Sequence, residues 1–212
     1  MIKLAVSGCQ GRMGQSITRL ALDDNEFALA ALLEREDHPD AGKTVHDLTI
    51  SADNAILDGC DVLIEFTSPD ATIANLQACL DYGVKMVIGT TGLQPEQIEK
   101  IKSAADQIPI VFASNMSVGV NILFKLTQIA AEKTGTSYTI NISEAHHVHK
   151  KDAPSGTAKT LAKIAEKASG TKVENIKSIR EGEIIGDHSV VFTSGEDIIT
   201  VSHHAKNRDI FA

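Results

Sequence analysis

The sequence predicts an α/β protein: a doubly wound parallel sheet at the N-terminus, followed by a second, α+β domain. Three observations predict it. Short apolar runs alternate with helical segments as far as Ala113, as expected of strands buried on both faces of a parallel sheet. A glycine-rich turn, Gly8-Cys-Gln-Gly11-Arg-Met-Gly14, joins the first run to the first helix. The alternation stops near Asn115, and helices and strands segregate beyond it.

Ile2 to Ser7 is the first apolar run. Arg12 to Leu22 has helical spacing, with Met13, Ile17, Leu20 and Ala21 on one side. Phe27 to Leu33 and Asp61 to Phe66 are the next strands, and Thr67-Ser-Pro-Asp70 reads as a helix start. Val84 to Ile88 is a fourth strand, ending in Gly89-Thr-Thr-Gly92. Pro95 to Gln107 is helical, and Ile108 to Ala113 is a fifth strand. A boundary near Ser117 to Gly119 divides residues 1–117 from residues 118–212. Val118 to Lys133 then reads as a longer helix, and Tyr138 to Ser143 alternates as a strand. A helix follows Ser155 and stops at Gly170. Ile176 to Glu181, Ser189 to Thr193 and Ile198 to Ser202 complete a sheet expected to be antiparallel.

Composition narrows the function. Of 212 residues 42% are hydrophobic and 23% charged, which predicts a packed core. The net charge of −8 and the absence of Trp argue against a nucleic-acid surface. Three cysteines, Cys9, Cys60 and Cys79, form no paired motif and suggest a reducing compartment. No run approaches membrane-spanning length and no signal segment precedes the first strand, so a cytoplasmic location is expected.

The glycine turn has the spacing G-x-x-G-x-x-G. Glycine permits a tight turn, close approach of backbone to a pyrophosphate, and close helix–strand packing. Glu34 falls 20 residues after Gly14 at the end of the second strand, where a carboxylate can accept hydrogen bonds from an adenosine ribose. Arg35 beside it can hold an additional phosphate, so both NAD and NADP are plausible cofactors. The candidate cofactor residues of this Rossmann-like domain are therefore Gly8, Cys9, Gln10, Gly11, Arg12, Met13, Glu34 and Arg35. Gly89, Thr90 and Thr91, with Ala113, Ser114, Asn115 and Met116, follow the carboxyl ends of two further strands, where the nicotinamide half is expected.

The second domain carries the most informative segment, Glu144-Ala-His-His-Val-His-Lys-Lys-Asp-Ala-Pro-Ser-Gly-Thr-Ala158. Proton donors and cations run directly into a helix start, whose free N–H groups bind anions. Together they imply a small acidic substrate. The three histidines could instead ligate a metal. On a strand, however, His147 and His149 face one side and His146 the other, which argues against one shared ion.

These motifs, with Ser114-Asn-Met-Ser-Val-Gly-Val-Asn121, resemble the dihydrodipicolinate (4-hydroxy-tetrahydrodipicolinate) reductases of lysine and diaminopimelate synthesis, in order along the whole chain. The resemblance implies hydride transfer from NADH or NADPH to a cyclic unsaturated dicarboxylate, in a homotetramer built through the second domain's sheets. It implies His146 as general acid/base, Lys150 as a second proton donor, His147 as a substrate contact, and Ser155, Gly156 and Thr157 as the carboxylate cradle. Met116 stands where many members have an aromatic residue. Members usually continue past the point reached at Phe211-Ala212 with a helix and short strand that return to the nucleotide domain. Without them, weaker domain closure is expected. Two other functions fit the glycine turn: another Rossmann oxidoreductase of amino-acid metabolism, and a dinucleotide sensor without turnover.

Overall fold

The computed structural model describes residues 1–212. The chain forms two compact units, Met1–Ala113 with Ala212, and Ser114–Phe211. The division falls slightly before the expected boundary, so Ser114–Ser117 belong to the second unit.

The first unit is built on β1 (Ile2–Ser7), α1 (Arg12–Leu22) and β2 (Phe27–Leu33). A short hairpin follows, β3 (Thr44–Val45) and β4 (Leu48–Ser51). Then come β5 (Val62–Glu65), α2 (Pro69–Tyr82), β6 (Lys85–Ile88), α3 (Pro95–Ala104) and β7 (Ile110–Phe112). The strand order is β3-β4-β2-β1-β5-β6-β7, parallel except for the β3–β4 pair. The order reverses at β1, and ligands of such sheets lie beyond the strand ends at that switch point. The apolar runs make this possible: Leu4, Ala5, Val6, Leu32, Leu63, Met86 and Ile88 are almost fully buried, with helices on both faces.

The β3–β4 hairpin was not expected. Its two-residue turn, His46-Asp47, has φ of 51° and 63° at both positions. Such turns are normally announced by Asn-Gly or Asp-Gly, and His-Asp gives no such signal.

The second unit contains α4 (Val118–Thr134), β8 (Thr139–His146), α5 (Gly156–Ser169), β9 (Asn175–Arg180), β10 (Asp187–Thr193) and β11 (Ile198–His204). Its sheet has the order β11-β10-β8-β9. One face carries Ile140, Ile142, Val190 and Phe192 against Leu123 and Ala131 of α4 and Ala158, Leu161 and Ala165 of α5. Each fully buried large side chain here contributes roughly 1.5–3 kcal/mol. The sheet is not wholly antiparallel: β9 pairs in parallel with β8. The reason is α5, which crosses back over the sheet between them, as a parallel connection requires. A second correction concerns β8, which runs beyond Ser143 to His146. Glu144 and His146 therefore share its buried face, two residues apart. His147 and His149 lie beyond the strand, so the strand geometry used to separate the three histidines does not apply to them.

Candidate active site

In the first unit, β1 ends in the glycine turn. Gly8 has φ +72°, and a Cβ there would sit 2.6 Å from the Phe66 carbonyl oxygen. A Cβ on Gly14 would sit 2.0 Å from the Gly8 oxygen. Only glycine lets α1 pack so tightly against the strand end. α1 follows Gly11, which offers no side-chain cap, whereas α2 is capped by Ser68. The N–H groups of Met13 and Gly14 in the first turn of α1 thus have no side-chain cap and can meet an anion. Glu34 accepts hydrogen bonds from the N–H of Gln10 (3.1 Å) and of Arg35 (3.1 Å), which fixes its carboxylate against the turn.

Gly8, Gln10, Gly11, Glu34 and Arg35 line one cavity of about 540 Å³. The size, the glycine approach and the ribose-side carboxylate fit a dinucleotide. Phe66, Thr67, Ser68 and Asn75 line the same cavity and were missed. Their only sequence signal was the α2 start, which indicated a cap and not a ligand. Cys9 lies instead on a separate cavity with Gln15, Thr18 and Arg19, its thiol pushed up to about 11 by burial. Met13 packs on the apolar cluster of β1 and β2. Thr90 is buried, accepting from the Thr67 N–H (2.8 Å) and donating to Glu65 (2.9 Å). A Cβ on Gly89 would run into the Phe66 ring at 2.1 Å.

In the second unit, the ends of β8, β9 and β10 and the start of α5 converge. Glu144 is 1% exposed and is the hub. Arg180 donates to both its oxygens at 2.9 Å, the Ser155 N–H donates to Oε1 at 3.2 Å, and His146 Nδ1 lies 2.5 Å from Oε2. Burial raises the Glu144 pKa, but the hydrogen bonds from Arg180, Ser178 and His146 outweigh it and bring it down to about 2. An ionised Glu144 holds the proton of His146 on Nδ1 whenever that ring is neutral, which leaves Nε2 as its working atom. Burial pulls the His146 pKa below 6.5, with Lys150 and Arg180 adding to the fall and Glu144 opposing it. Gly186 backs onto Nε2, where a Cβ would lie 3.2 Å away.

The segment from His147 to Pro154 carries Lys150, whose Nζ pairs with Asp152 at 2.8 Å. Arg180 also donates to the Asp152 carbonyl at 2.6 Å, tying this segment to the Glu144 hub. Ser155 caps α5, its Oγ accepting from the Ala158 N–H at 3.2 Å. The N–H groups of Gly156 and Thr157 are left for a ligand. Asn115, expected at the nicotinamide, donates to Thr157 Oγ1 at 3.1 Å, and Ser114 lies 3.3 Å from Thr160 Oγ1. His147 is buried at 7% exposed, while His149 is exposed and faces Glu183 at 3.5 Å. No group of three His, Cys, Asp or Glu side chains is placed to hold a metal ion. Glu144, Arg180 and His188 were not assigned as site residues from the sequence; Glu144 lies two residues before His146 on β8, whereas only the sheet pairing brings Arg180 and His188 to it.

Comparison with known proteins agrees with this architecture. A protein of Nitrosomonas eutropha named 4-hydroxy-tetrahydrodipicolinate reductase is 39% identical over 239 positions, covering all of this chain and 89% of that protein. The matched span exceeds the 212 residues here, so the relative carries residues inside it that this chain lacks. A protein of the same name from Geotalea daltonii is also 39% identical, with 100% and 90% coverage. A dipicolinate-bound dihydrodipicolinate reductase from Paenisporosarcina sp. TG-14 shares the fold at TM-score 0.79 and 24% identity, covering 100% of this chain and 90% of that one. Residues 2–116 match the family described as dihydrodipicolinate reductase, N-terminus, and residues 119–212 match dihydrodipicolinate reductase, C-terminus, so this chain belongs to the dihydrodipicolinate reductase family.

Proposed function

We propose that His146 and Lys150 deliver the protons of the family reaction at the start of α5. That reaction is the NAD(P)H-dependent reduction of 4-hydroxy-tetrahydrodipicolinate, whose 4-hydroxyl leaves as water to give dihydrodipicolinate, to tetrahydrodipicolinate in lysine and diaminopimelate biosynthesis. The observation that carries the assignment is the Glu144–His146 pair beside a helix start whose Gly156 and Thr157 N–H groups have no partner.

Bound NADH or NADPH supplies the hydride. Residues 1–113 would hold it: the start of α1 and the turn at Gly8 and Gly11 would take the pyrophosphate, and Glu34 the ribose. Arg35 is largely exposed and contacts Asp37 at 3.3 Å, so it can turn to a ribose phosphate and both cofactors are accommodated. The α5 N–H groups of Gly156 and Thr157 bind one substrate carboxylate, and His147 contacts the substrate. Negative charge grows on the substrate ring as hydride arrives, and a proton from His146 Nε2 or Lys150 Nζ neutralises it. A dianionic ligand beside His146 favours the imidazolium, which offsets the burial that lowers its pKa in the free protein.

We also propose a homotetramer in the cytoplasm, with no nucleic-acid partner. The sheet face opposite α4 and α5 supports the assembly: Ser143, Ala145, Ser189, Val191, Thr200 and Ser202 lie on it with no layer of their own unit above them. No helix is long and apolar enough to cross a membrane.

The test is absorbance loss of NADH and of NADPH with the cyclic substrate generated by its synthase. Oxidation dependent on the synthase product is expected with both. Cofactor binding without any oxidation would instead support a dinucleotide sensor.

A further inference from the structure

His188 stands on β10 beside the site, 4% exposed. Its Nε2 lies 3.2 Å from Ser155 Oγ, and its ring meets that of His146 edge-on at 5.1 Å. Its Nδ1 is buried without a hydrogen-bond partner. The groups facing it are His146, Glu144, Lys150 and His203. We propose that His188 is a positioning residue: as the neutral tautomer with its proton on Nε2, it donates to Ser155 Oγ and frees the Ser155 hydroxyl proton for a substrate carboxylate at the first turn of α5. The proposal rests on the reading that this helix start binds the substrate.

Ser155 Oγ has one proton and two lone pairs. One lone pair is taken by the Ala158 N–H. If Nε2 were the acceptor, the Ser155 proton would be spent on His188, and Nδ1 would carry a buried N–H with no acceptor. Orphaned buried N–H groups are rare and costly. With the proton on Nε2, both Ser155 lone pairs are filled by Ala158 and His188, and the buried Nδ1 is a bare ring nitrogen. The hydroxyl proton is then the one donor of Ser155 left uncommitted, next to the free N–H groups of Gly156 and Thr157. The imidazolium form is disfavoured by burial and by neighbouring His146, which bring the His188 pKa down to about 3.

Two measurements test it. Nitrogen NMR on histidine-labelled protein reports the tautomer of His188 without any turnover; a proton on Nε2 is expected, and a proton on Nδ1 overturns the proposal. The second compares His188→Leu with His188→Gln, whose amide can replace the Nε2 donor. Binding of dipicolinate (pyridine-2,6-dicarboxylate) should weaken by up to about tenfold in His188→Leu, the size of one hydrogen bond to a charged group, because Ser155 Oγ loses the donor that directs its proton toward the carboxylate. It should recover in His188→Gln, with NADH affinity unchanged in both. Equal weakening of dipicolinate and NADH binding, or no recovery with Gln, would show a merely structural side chain and overturn it. If the wild-type protein oxidises no cofactor, the proposed reaction falls, while the tautomer and dipicolinate measurements still decide the role of His188.

Discussion

Burial sets the direction of the His146 shift, and one carboxylate and two cations modulate it. Lys150 pairs with Asp152 in the second unit, and its proposed role is to give a proton to the bound substrate. Lys150→Ala is expected to lower kcat by about 10²-fold with NADH affinity unchanged, as steady-state rates and cofactor titration would show. An unchanged kcat would remove Lys150 from the mechanism. The pH dependence follows from the direction of the His146 shift. Its pKa in the free protein lies below 6.5 because of burial. The acid form is lost as pH rises through that pKa, so kcat/KM should decline from a pH below 6.5. The limb in kcat, which reports the substrate complex, should lie higher because the bound dianion restores the proton. Glu144→Gln removes the anion that favours imidazolium, and both limbs should move to lower pH. Limbs that stay in place would show that Glu144 does not tune His146.

At the scale of elements, caps explain why the helices begin and end where they do. Ser68, Ser117 and Ser155 each accept an N–H of the following turn, and all three are legible as small polar residues before apolar periodic runs. Gly170 ends α5 in the left-handed region at φ +75°, with nothing within 4 Å of where a Cβ would lie. Gly170→Ala should therefore cost about 1 kcal/mol through backbone strain alone. Urea unfolding should register that loss while kcat stays as in wild type. The β3–β4 hairpin and the parallel placement of β9 were not legible. A His-Asp turn lacks the usual residues, and the direction of an edge strand depends on where α5 delivers the chain, which a local pattern does not encode.

For the whole molecule, two buried titratable groups link the site to acid stability. Glu144, held at about 2 in the fold against an ordinary 4.5, contributes stability that is present above pH 4.5 and lost as pH falls through about 2. His188, held at about 3 against 6.5, works in the same direction: below pH 6.5 the unfolded chain takes up a proton that the folded one refuses until about pH 3. Stability should thus decline steadily from pH 6.5 downward. In His188→Leu the decline between 6.5 and 3 should flatten; an unaltered slope would show that His188 is not buried neutral. The proposed tetramer is open to a similar test. Val191→Asp places a charge on the uncovered sheet face, and sedimentation should show smaller species with unchanged circular dichroism. A mass unaffected by the substitution would place the assembly contact elsewhere.

The sequence by itself determined the α/β class, five of the seven strands of the first unit and where its helices begin, the glycine turn, Glu34, and the segment from His146 to Thr157. These are local facts: periodicity, caps, and residue types at fixed spacing. Tertiary structure alone decided which groups stand behind them. Arg180 and His188 are far from His146 along the chain, and only the β9–β8–β10 pairing brings them to it. Likewise Phe66 and Asn75 join the glycine turn in one cavity because β5 lies beside β1. Local sequence specifies the turn and the helix start, but a buried carboxylate's partners come from strand register, which is set by the packing of the whole sheet.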